Sequence, residues 1–298
     1  MTGGFLSSQR FRMLQSHKRS QKRGIYQYAL AQKQQMERDL YVARQLQQSL
    51  LPKTIELCRI SEKDRGQNQF SRVHFYSEKA FVTGFYSPCE FLGGDIYDVY
   101  PISQDRILFA MCDVSGHGVA ASMITAITKA ALYRVTQMTQ SPSRILEILN
   151  NELCRVIQTD DYLTAWVGLY DINNQTLNYA TAGHPLPIWY QHHNRKSEKL
   201  SEADLILGWI PNQSYSEYQI VLEKGDLLCV YTDGVTDMKN PTGEIYGDDN
   251  FIKAIIYAQQ CPPLTQLDEI IFNLSDFSQG TPIQDDVSLF LLHVGYTD

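Results

Sequence analysis

The stretch FLGGDIYDVYPI, residues 91–102, places two glycines before Asp95 and a second carboxylate at Asp98, inside an otherwise apolar run. A buried carboxylate is costly unless it is paired with a cation or bound to a metal ion. The β-branched and aromatic residues that follow Asp95 predict a strand. The stretch therefore predicts a strand that begins beside a charged site.

The elements predicted around this stretch come in blocks of strands and blocks of helices. In chain order they are strands at 81–86, 95–102 and 106–114, helices at 118–138 and 141–157, strands at 163–172, 176–183, 187–191, 217–222 and 226–233, helices near 249–260 and 264–278, and a last strand at 286–294. This order favours an α+β domain, with sheets covered by helices, over an alternating β-α-β fold.

The N-terminal part of the chain has a different composition. Residues 1–50 carry nine Lys and Arg against two Asp and Glu, whereas the rest of the chain carries 17 and 31. Residues 1–24 are interpreted as a basic, poorly ordered arm. The arm lacks interleaved aromatic residues, and the acidic body would repel an anionic partner, so we expect no nucleic-acid binding.

Residues 25–52 are predicted to form a helical linker that ends at Pro52. Its apolar positions share one helix face, and they are Met36, Leu40, Ala43, Leu46 and Leu50. A stripe this narrow cannot form a core alone, so it should pack on its own domain, on a second copy of itself, or on both. The polar residues 53–79 are predicted to be a loop.

The sequence also restricts the cellular location. No run approaches the roughly 20 apolar residues of a membrane helix, and the N-terminus lacks the apolar core of a signal peptide. The six cysteines are dispersed and include no C-x-x-C pair. We therefore expect a cytoplasmic protein with reduced thiols and no membrane span.

Acidic residues stand at the ends of four predicted strands. The clusters are Asp95 with Asp98, Asp113, Asp233, and Asp285 with Asp286. Strand ends from one sheet edge can direct several carboxylates to one spot, where like charges need a cation between them. Oxygen ligands without a His or Cys set favour Mg²⁺ or Mn²⁺ over zinc.

Five motifs carry a resemblance to a known family: GGDIYD, DVSGHGVAASM, ATAGHPLP, YTDGVTD and DDVSLFLL. In order and spacing they resemble the SpoIIE/RsbU-type serine phosphatases, a bacterial branch of the metal-dependent, type-2C protein phosphatases (the PPM family). The resemblance covers about residues 80–295. The stretch ERDLYVARQLQQSLLP, residues 37–52, resembles the helical linker that often precedes this domain.

The resemblance implies a phosphatase domain over residues 80–298, folded as an α/β/β/α sandwich of two mainly antiparallel sheets covered by helices. It also implies a site for two divalent ions, Mn²⁺ or Mg²⁺. The implied ligands are Asp95, Asp113, the backbone carbonyl of Val114, Asp233 and Asp285, with Asp286 left open as the alternative to Asp285. Supporting positions are Gly94, Asp98, Gly116, His117, Gly234 and Asp286. Asp98 is expected to hold a metal-bound water or to support the ligands.

The two histidines near these motifs are given lesser roles. His117 lies four residues after Asp113, whereas the histidine of eukaryotic relatives lies two after, so a role at the loop or helix start is favoured over a general acid. His184 lies between Gly183 and Pro185 in a turn, where a structural hydrogen bond is expected.

The implied activity is hydrolysis of phosphoserine or phosphothreonine on a regulatory protein by a metal-activated water. The expected substrate is a STAS-type anti-sigma-factor antagonist. The helix at 25–52 is expected to mediate a homodimer or to dock an upstream activator. The alternative is a pseudophosphatase, a regulatory module that binds such a protein without turnover. A retained acidic residue in every cluster favours the enzyme.

Overall fold

Two sheets pack face to face, with helices on both outer surfaces of the pair. The structure is a computed structural model, and it describes residues 3–52, 55–56, 72–77, 79–157, 161–200 and 204–295; side chains are described from residue 26 onward, except in 55–56 and 72–76. The chain divides into two compact units, Met1–Leu46 and Gln47–Asp298. The sandwich and its site belong to the second unit.

The described residues contain five α-helices and twelve strands. The helices are α1 (Gly3–Leu50), α2 (Gly118–Thr136), α3 (Pro142–Val156), α4 (Gly247–Ala258) and α5 (Gln266–Ser278). The strands are β1 (Ile55–Glu56), β2 (Arg72–Tyr76), β3 (Ala80–Ser87), β4 (Ile96–Pro101), β5 (Arg106–Val114), β6 (Leu163–Asp171), β7 (Thr176–Ala182), β8 (Ile188–Gln191), β9 (Lys196–Lys199), β10 (Tyr218–Val221), β11 (Leu227–Tyr231) and β12 (Val287–Val294).

The strands form two sheets. The seven-stranded sheet has the order β1-β2-β3-β12-β11-β8-β9, and the five-stranded sheet has the order β10-β7-β6-β5-β4. Neighbouring strands pair antiparallel, except for β1 and β2, which pair in parallel.

A strand covered on both faces explains the nearly continuous apolar run of β5. Ile107 and Phe109 lie in the core between the sheets, together with Phe290 of β12. The alternate residues Leu108 and Ala110 pack in the core formed with α2 and α3. A third core joins the outer face of the seven-stranded sheet to α4 and α5. The predicted α/β/β/α sandwich is therefore confirmed.

The start of α3 is fixed by its sequence. Ser141 is the N-cap and accepts a hydrogen bond from the Arg144 backbone N–H at 3.4 Å, and Pro142 occupies the first turn, where its missing N–H costs nothing.

The N-terminal region differs from its prediction. Helix α1 begins at Gly3, so the helix includes most of the residues 1–24 that were predicted to be a poorly ordered arm. The reason is compositional: Gln, Lys, Arg, Met and Leu are good helix formers, and no proline interrupts them. No described helix is long and apolar enough to cross a membrane.

The predicted loop at 53–79 is also partly regular. It contains the short strands β1 and β2, which extend the seven-stranded sheet at its edge. Strands at a sheet edge are short and need no apolar alternation, so no local pattern indicates them. Residues 57–71 lie outside the described part of the chain.

Candidate metal centre

Four aspartates meet at one end of the sandwich, two from each sheet. Asp95 precedes β4 and Asp113 lies near the end of β5, its antiparallel neighbour. Asp233 follows β11 and Asp285 precedes β12, which are also antiparallel neighbours. Antiparallel pairing puts the end of one strand beside the beginning of the other. Each sheet therefore contributes two carboxylates to the same place.

Burial and neighbouring negative charges make these four carboxyl groups harder to ionise. Burial, followed by the charges of Asp233 and Asp285, raises the pKa of Asp113 to about 8. Burial and then the charge of Asp113 raise the pKa of Asp95 well above its ordinary value. Burial and neighbouring carboxylates also raise the pKa of Asp233 and of Asp285. A cation at this spot would offset the repulsion and let all four ionise.

The donor set fits a hard divalent cation. Its side-chain donors are carboxylate oxygens, which Mg²⁺ and Mn²⁺ prefer. Cys89 also lies close, with its sulfur within 4.8 Å of carboxylate oxygens of Asp285 and Asp286. However, burial and these carboxylates raise the pKa of the Cys89 thiol to about 12, so it stays protonated and is a poor ligand. Zinc chemistry is therefore not favoured.

The four aspartates differ in their exposure to solvent. Asp95 is buried, Asp113 is half-buried, and Asp233 and Asp285 are exposed. The inner carboxylate is shielded from water, whereas the outer pair is open to solvent. The centre can therefore be reached from outside by a group carried on another molecule.

Hydroxyl groups from the other sheet orient Asp95. Thr232 Oγ1 donates to Asp95 Oδ2 at 2.8 Å, and Ser288 Oγ donates to the same oxygen at 2.6 Å. The Ser288 backbone N–H in turn donates to Thr232 Oγ1 at 3.1 Å. These bonds fasten the start of β4 to β11 and β12, and they favour the ionised form of Asp95.

Asp286 has a different task from Asp285. Its Oδ1 accepts from the backbone N–H of Cys89 at 2.8 Å, and its Oδ2 accepts from those of Gly94 at 2.6 Å and Asp95 at 3.2 Å. Asp286 is buried, and these donors occupy its carboxylate. It therefore organises the loop before β4, whereas Asp285 faces the other acidic groups.

Two glycines are required by close approach of the backbone. A Cβ on Gly234 would lie 2.0 Å from the carbonyl oxygen of Asp286, and a Cβ on Gly94 would lie 2.8 Å from that of Val114. The same close packing places Val114 beside Gly94, whose carbonyl accepts from the Val114 N–H at 3.4 Å. Gly116, by contrast, has open space around it and a φ of 85°, which favours glycine.

The structure separates Asp98 from the other carboxylates. Its side chain forms a buried ion pair with Lys129 of α2, and its Oδ1 accepts from the Val99 N–H at 3.0 Å. Burial raises the pKa of Asp98 and Lys129 opposes that shift. Asp95 and Asp98 are three positions apart, so they lie on opposite faces of the sheet. The described contacts of Asp98 fit a bond between sheet and helix better than the expected support of metal ligands.

The two histidines occupy different environments. His117 is exposed at the start of α2, and its Nδ1 lies 3.2 Å from Glu90 Oε1. His184 is buried, and its Nδ1 is hydrogen-bonded to Thr164 Oγ1 at 2.8 Å, as the expected structural role requires. Burial lowers the pKa of His184 to about 3, so it is neutral at physiological pH.

The residues that hold the aspartates are not among the predicted site residues. Thr232 and Ser288 lie beside the acidic residues in YTDG and DDVS, and hydroxyl residues next to buried carboxylates could have indicated them. No local sequence pattern indicates Gln47 or Glu90. Gln47 contacts Gly93, which is 46 positions away, and Glu90 contacts His117 on another loop.

Comparison with known proteins identifies the family of the chain. A family profile described as "Stage II sporulation protein E (SpoIIE)" matches residues 103–295, more than half of the chain. The chain belongs to the SpoIIE family. The segment of this SpoIIE-family chain that matches the profile includes Asp113, Asp233 and Asp285. Asp95 lies just before that segment.

Three similar proteins illustrate the relationship of this SpoIIE-family chain to others. It is 25% identical to "Phosphoserine phosphatase RsbU" of Bacillus subtilis (strain 168) over 216 residues, which are 72% of this chain and 64% of RsbU. It resembles the "SiaA-PP2C domain of Pseudomonas aeruginosa" with a TM-score of 0.71 at 20% identity, covering 88% of this chain and 98% of that one. It resembles RsbX "in complex with magnesium" with a TM-score of 0.58 at 18% identity, covering 76% and 100%.

The similar proteins share the fold of this chain, and the curated relatives are longer than it. The structural likenesses, all at low identity, show that the SpoIIE-family chain has the PP2C fold. The chain spans less than two thirds of the length of the curated relatives it matches. The likeness to these structures covers the sandwich.

Proposed function

We propose that this chain is a metal-dependent protein serine/threonine phosphatase. The observation that carries the proposal is the convergence of Asp95, Asp113, Asp233 and Asp285 from both sheets, where burial and neighbouring carboxylates raise the pKa of each. Such a cluster is costly without a cation and is suited to two divalent ions. The phosphoserine phosphatase name of the relative RsbU supports the reaction class.

Some residues of the chain would bind the metal ions, and others would orient these ligands. Asp95, Asp113, Asp233, Asp285 and the Val114 carbonyl would hold two Mn²⁺ or Mg²⁺ ions. When bound, the ions would supply the activation of water and the neutralisation of phosphoryl charge that hydrolysis needs. Thr232 and Ser288 keep Asp95 oriented. The exposed Asp233 and Asp285 leave the centre open to a phosphate on a protein surface.

A surface next to the centre supports a protein substrate. Ser115, two residues after Asp113, accepts a hydrogen bond at its Oγ from the Tyr162 N–H at 3.0 Å, and its own N–H donates to the Tyr162 carbonyl at 2.9 Å. The Tyr162 ring lies edge-on to Trp209, with centroids 6.0 Å apart, and Trp209 is 60% exposed. Exposed Trp and Tyr are frequent in protein-binding surfaces.

The substrate that we propose is a phosphorylated regulatory protein, of which a STAS-type anti-sigma-factor antagonist is the first candidate. We place the protein in the cytoplasm and expect it to form a homodimer through α1 or to receive an upstream activator there. The exposed Met36 and Leu46 of α1 support such a contact. A pseudophosphatase that binds the same partner is the competing function.

Hydrolysis of p-nitrophenyl phosphate by the full chain tests the proposal. We expect activity with Mn²⁺ or Mg²⁺, none in excess EDTA, and a loss of about 100-fold or more in Asp113→Asn and Asp233→Asn. Asp105→Asn is the matched control, because Asp105 is exposed at the opposite end of β5. Mn²⁺ binding without turnover would identify a pseudophosphatase. Full activity in EDTA would refute the metal centre.

A further inference from the structure

The last turn of α1 contains a buried glutamine that contacts the loop before β4. Gln47 is 8% exposed, whereas the flanking Leu46 and Gln48 are exposed. Its Nε2 donates to the Gly93 carbonyl at 2.6 Å, and its Oε1 accepts from the Gly93 N–H at 3.1 Å. The Tyr86 hydroxyl lies 3.5 Å from the same Oε1. One carboxamide thus satisfies both backbone groups of one residue.

Gly93 lies two positions before Asp95. Asp286 also forms hydrogen bonds to this loop. Asp286 accepts from the next two backbone N–H groups, those of Gly94 and Asp95. A Cβ on Gly93 would lie 2.1 Å from Asp286 Oδ2, so only glycine lets the loop pass between Asp286 and Gln47. The backbone of residues 93–95 is therefore hydrogen-bonded to two side chains, Gln47 and Asp286, that lie far apart in the sequence.

We propose that Gln47 is a positioning residue of the metal centre. Its carboxamide fixes the Gly93 peptide groups. This holds the Asp95 carboxylate in the position for binding a cation already in the metal-free protein. The proposal rests on the proposed function, because it assigns Gln47 a task in the same site. A preset ligand loses less conformational freedom on binding, so the affinity for the metal is higher.

The chemistry requires a glutamine at this position. The contact needs one donor and one acceptor on the same planar group, at the reach of two methylenes. Glutamate keeps the shape but offers no donor to the Gly93 carbonyl at neutral pH. Methionine keeps the length but offers neither a strong donor nor a strong acceptor. Neither substitution touches the carboxylates, so a change in metal binding would report on the loop.

The experiment compares Gln47→Glu and Gln47→Met with Gln48→Glu and Gln48→Met in the full chain. Gln48 is adjacent on the same helix but exposed, so its variants control for charge and helix propensity. Mn²⁺ binding to metal-stripped protein is measured by isothermal titration calorimetry. Amide hydrogen exchange of the 91–96 segment is measured on the same metal-free protein, and thermal unfolding is recorded for all variants.

We expect both Gln47 variants to bind Mn²⁺ about tenfold more weakly, because the Gly93 peptide groups lose one hydrogen bond in Gln47→Glu and two in Gln47→Met. We also expect faster exchange of the Gly93 and Gly94 amides, and no change in either quantity for the Gln48 variants. Mn²⁺ affinity within twofold of the wild type, even with lower thermal stability, would overturn the proposal and leave Gln47 a structural role only.

Failure of the proposed function would look different. A wild-type chain that binds no Mn²⁺ would refute the metal centre, whatever the Gln47 variants do. The exchange measurement does not depend on metal, so unchanged exchange of Gly93 and Gly94 in the Gln47 variants would separately show that the carboxamide does not hold this loop.

Discussion

Asp285 and Asp286 are neighbours in the chain, and their carboxylates have different partners. As the chain enters β12, successive side chains alternate between faces, so Asp286 shares a face with Ser288 whereas Asp285 does not. Asp286 bonds to the loop before β4, and Asp285 lies near Asp113 and Asp233. One residue therefore builds the site and the other is available to a cation.

The two aspartates should respond oppositely to removal of their charge. In EDTA, Asp286→Asn should lower the free energy of unfolding by about 1–3 kcal/mol, because one of its backbone donors loses its acceptor. Asp285→Asn should leave that free energy equal or higher, since it removes a repulsive charge, but it should weaken Mn²⁺ binding. Urea unfolding and calorimetry measure both. The reverse pattern would exchange the two roles.

The raised pKa of Asp113 predicts a pH dependence of the metal-free protein. Its folded value of about 8 exceeds the ordinary 3.8 of an unfolded chain, so between these values the folded state binds the proton more tightly. The free energy of unfolding in EDTA should therefore fall as the pH rises from about 4 to about 8. Urea unfolding at several pH values measures the slope.

The matched variant for this dependence is Asp113→Asn, which cannot titrate at this position. Its slope between the same pH values should be smaller than that of the wild type. Excess Mn²⁺ should also reduce the slope of the wild type, because a cation replaces the proton. Equal slopes for wild type and Asp113→Asn in EDTA would contradict the assignment.

At the scale of elements, α2 shows why an apolar pattern is ambiguous. Its sequence, GVAASMITAITKAALYRVT, predicts a buried helix. In the structure Ile124, Leu132 and Val135 are buried, whereas Val119 and Met123 are exposed by 55% and 64%. A helix that is apolar on most of its surface does not indicate from its sequence which side faces the sheet.

Helix α1 carries the prediction about assembly. Among the residues that the structure describes, Leu46 of the apolar stripe is 65% exposed and Met36 is 59% exposed. If two copies pair through the stripe, Leu40→Asp with Leu46→Asp should give a monomer, because each buried charge would lack a partner. Light scattering at concentrations on the order of tens of micromolar, where dimers are expected to form, measures the mass.

The sandwich, which is a separate unit from residues 1–46, should remain folded in this double variant. Retained hydrolysis of p-nitrophenyl phosphate would check that. A monomeric wild type would contradict constitutive pairing, and α1 would then remain available as a docking site for a regulator.

At the scale of the whole molecule, the acidic body and the aromatic surface beside the centre predict a preference for folded substrates. A phosphorylated STAS-type protein should be hydrolysed with a much higher kcat/KM than a short peptide around its phosphosite, because the peptide lacks the surface that Trp209 would contact. Equal kcat/KM for the two substrates would refute this.

Trp209→Ala should reduce kcat/KM for the phosphoprotein by about tenfold, and it should change p-nitrophenyl phosphate hydrolysis far less. Phe272→Ala is the matched control, because Phe272 is 61% exposed on α5 and the site residues do not involve that helix. A similar loss in both variants would argue against a specific contact at Trp209.

Much of this architecture can be predicted from the sequence, because its signals are local. β5 is identified by an apolar run and α3 by Ser141 and Pro142. Asp113 and Asp233 are indicated by their position at strand ends. The side of the sheet that Asp98 occupies could also have been derived, since a three-residue offset from Asp95 reverses the face.

Other features depend on contacts that no local pattern encodes. Gln47 resembles Gln45 and Gln48 in the sequence, and only its distance from Gly93 distinguishes it. The short strands β1 and β9 pair at sheet edges, where main-chain bonds rather than side chains define them. Lys129 could not be identified as the partner of Asp98 before α2 was placed over β4.

The Asp286 carboxylate also affects the order in which the acidic centre can be assembled. It accepts from backbone groups of Gly94 and Cys89 that precede it by 192 and 197 positions. Closing so long a loop costs entropy that is recovered only after both ends have docked. During synthesis, the loop before β4 emerges long before its acceptor does. A nascent chain therefore lacks the complete acidic centre until β12 has left the ribosome.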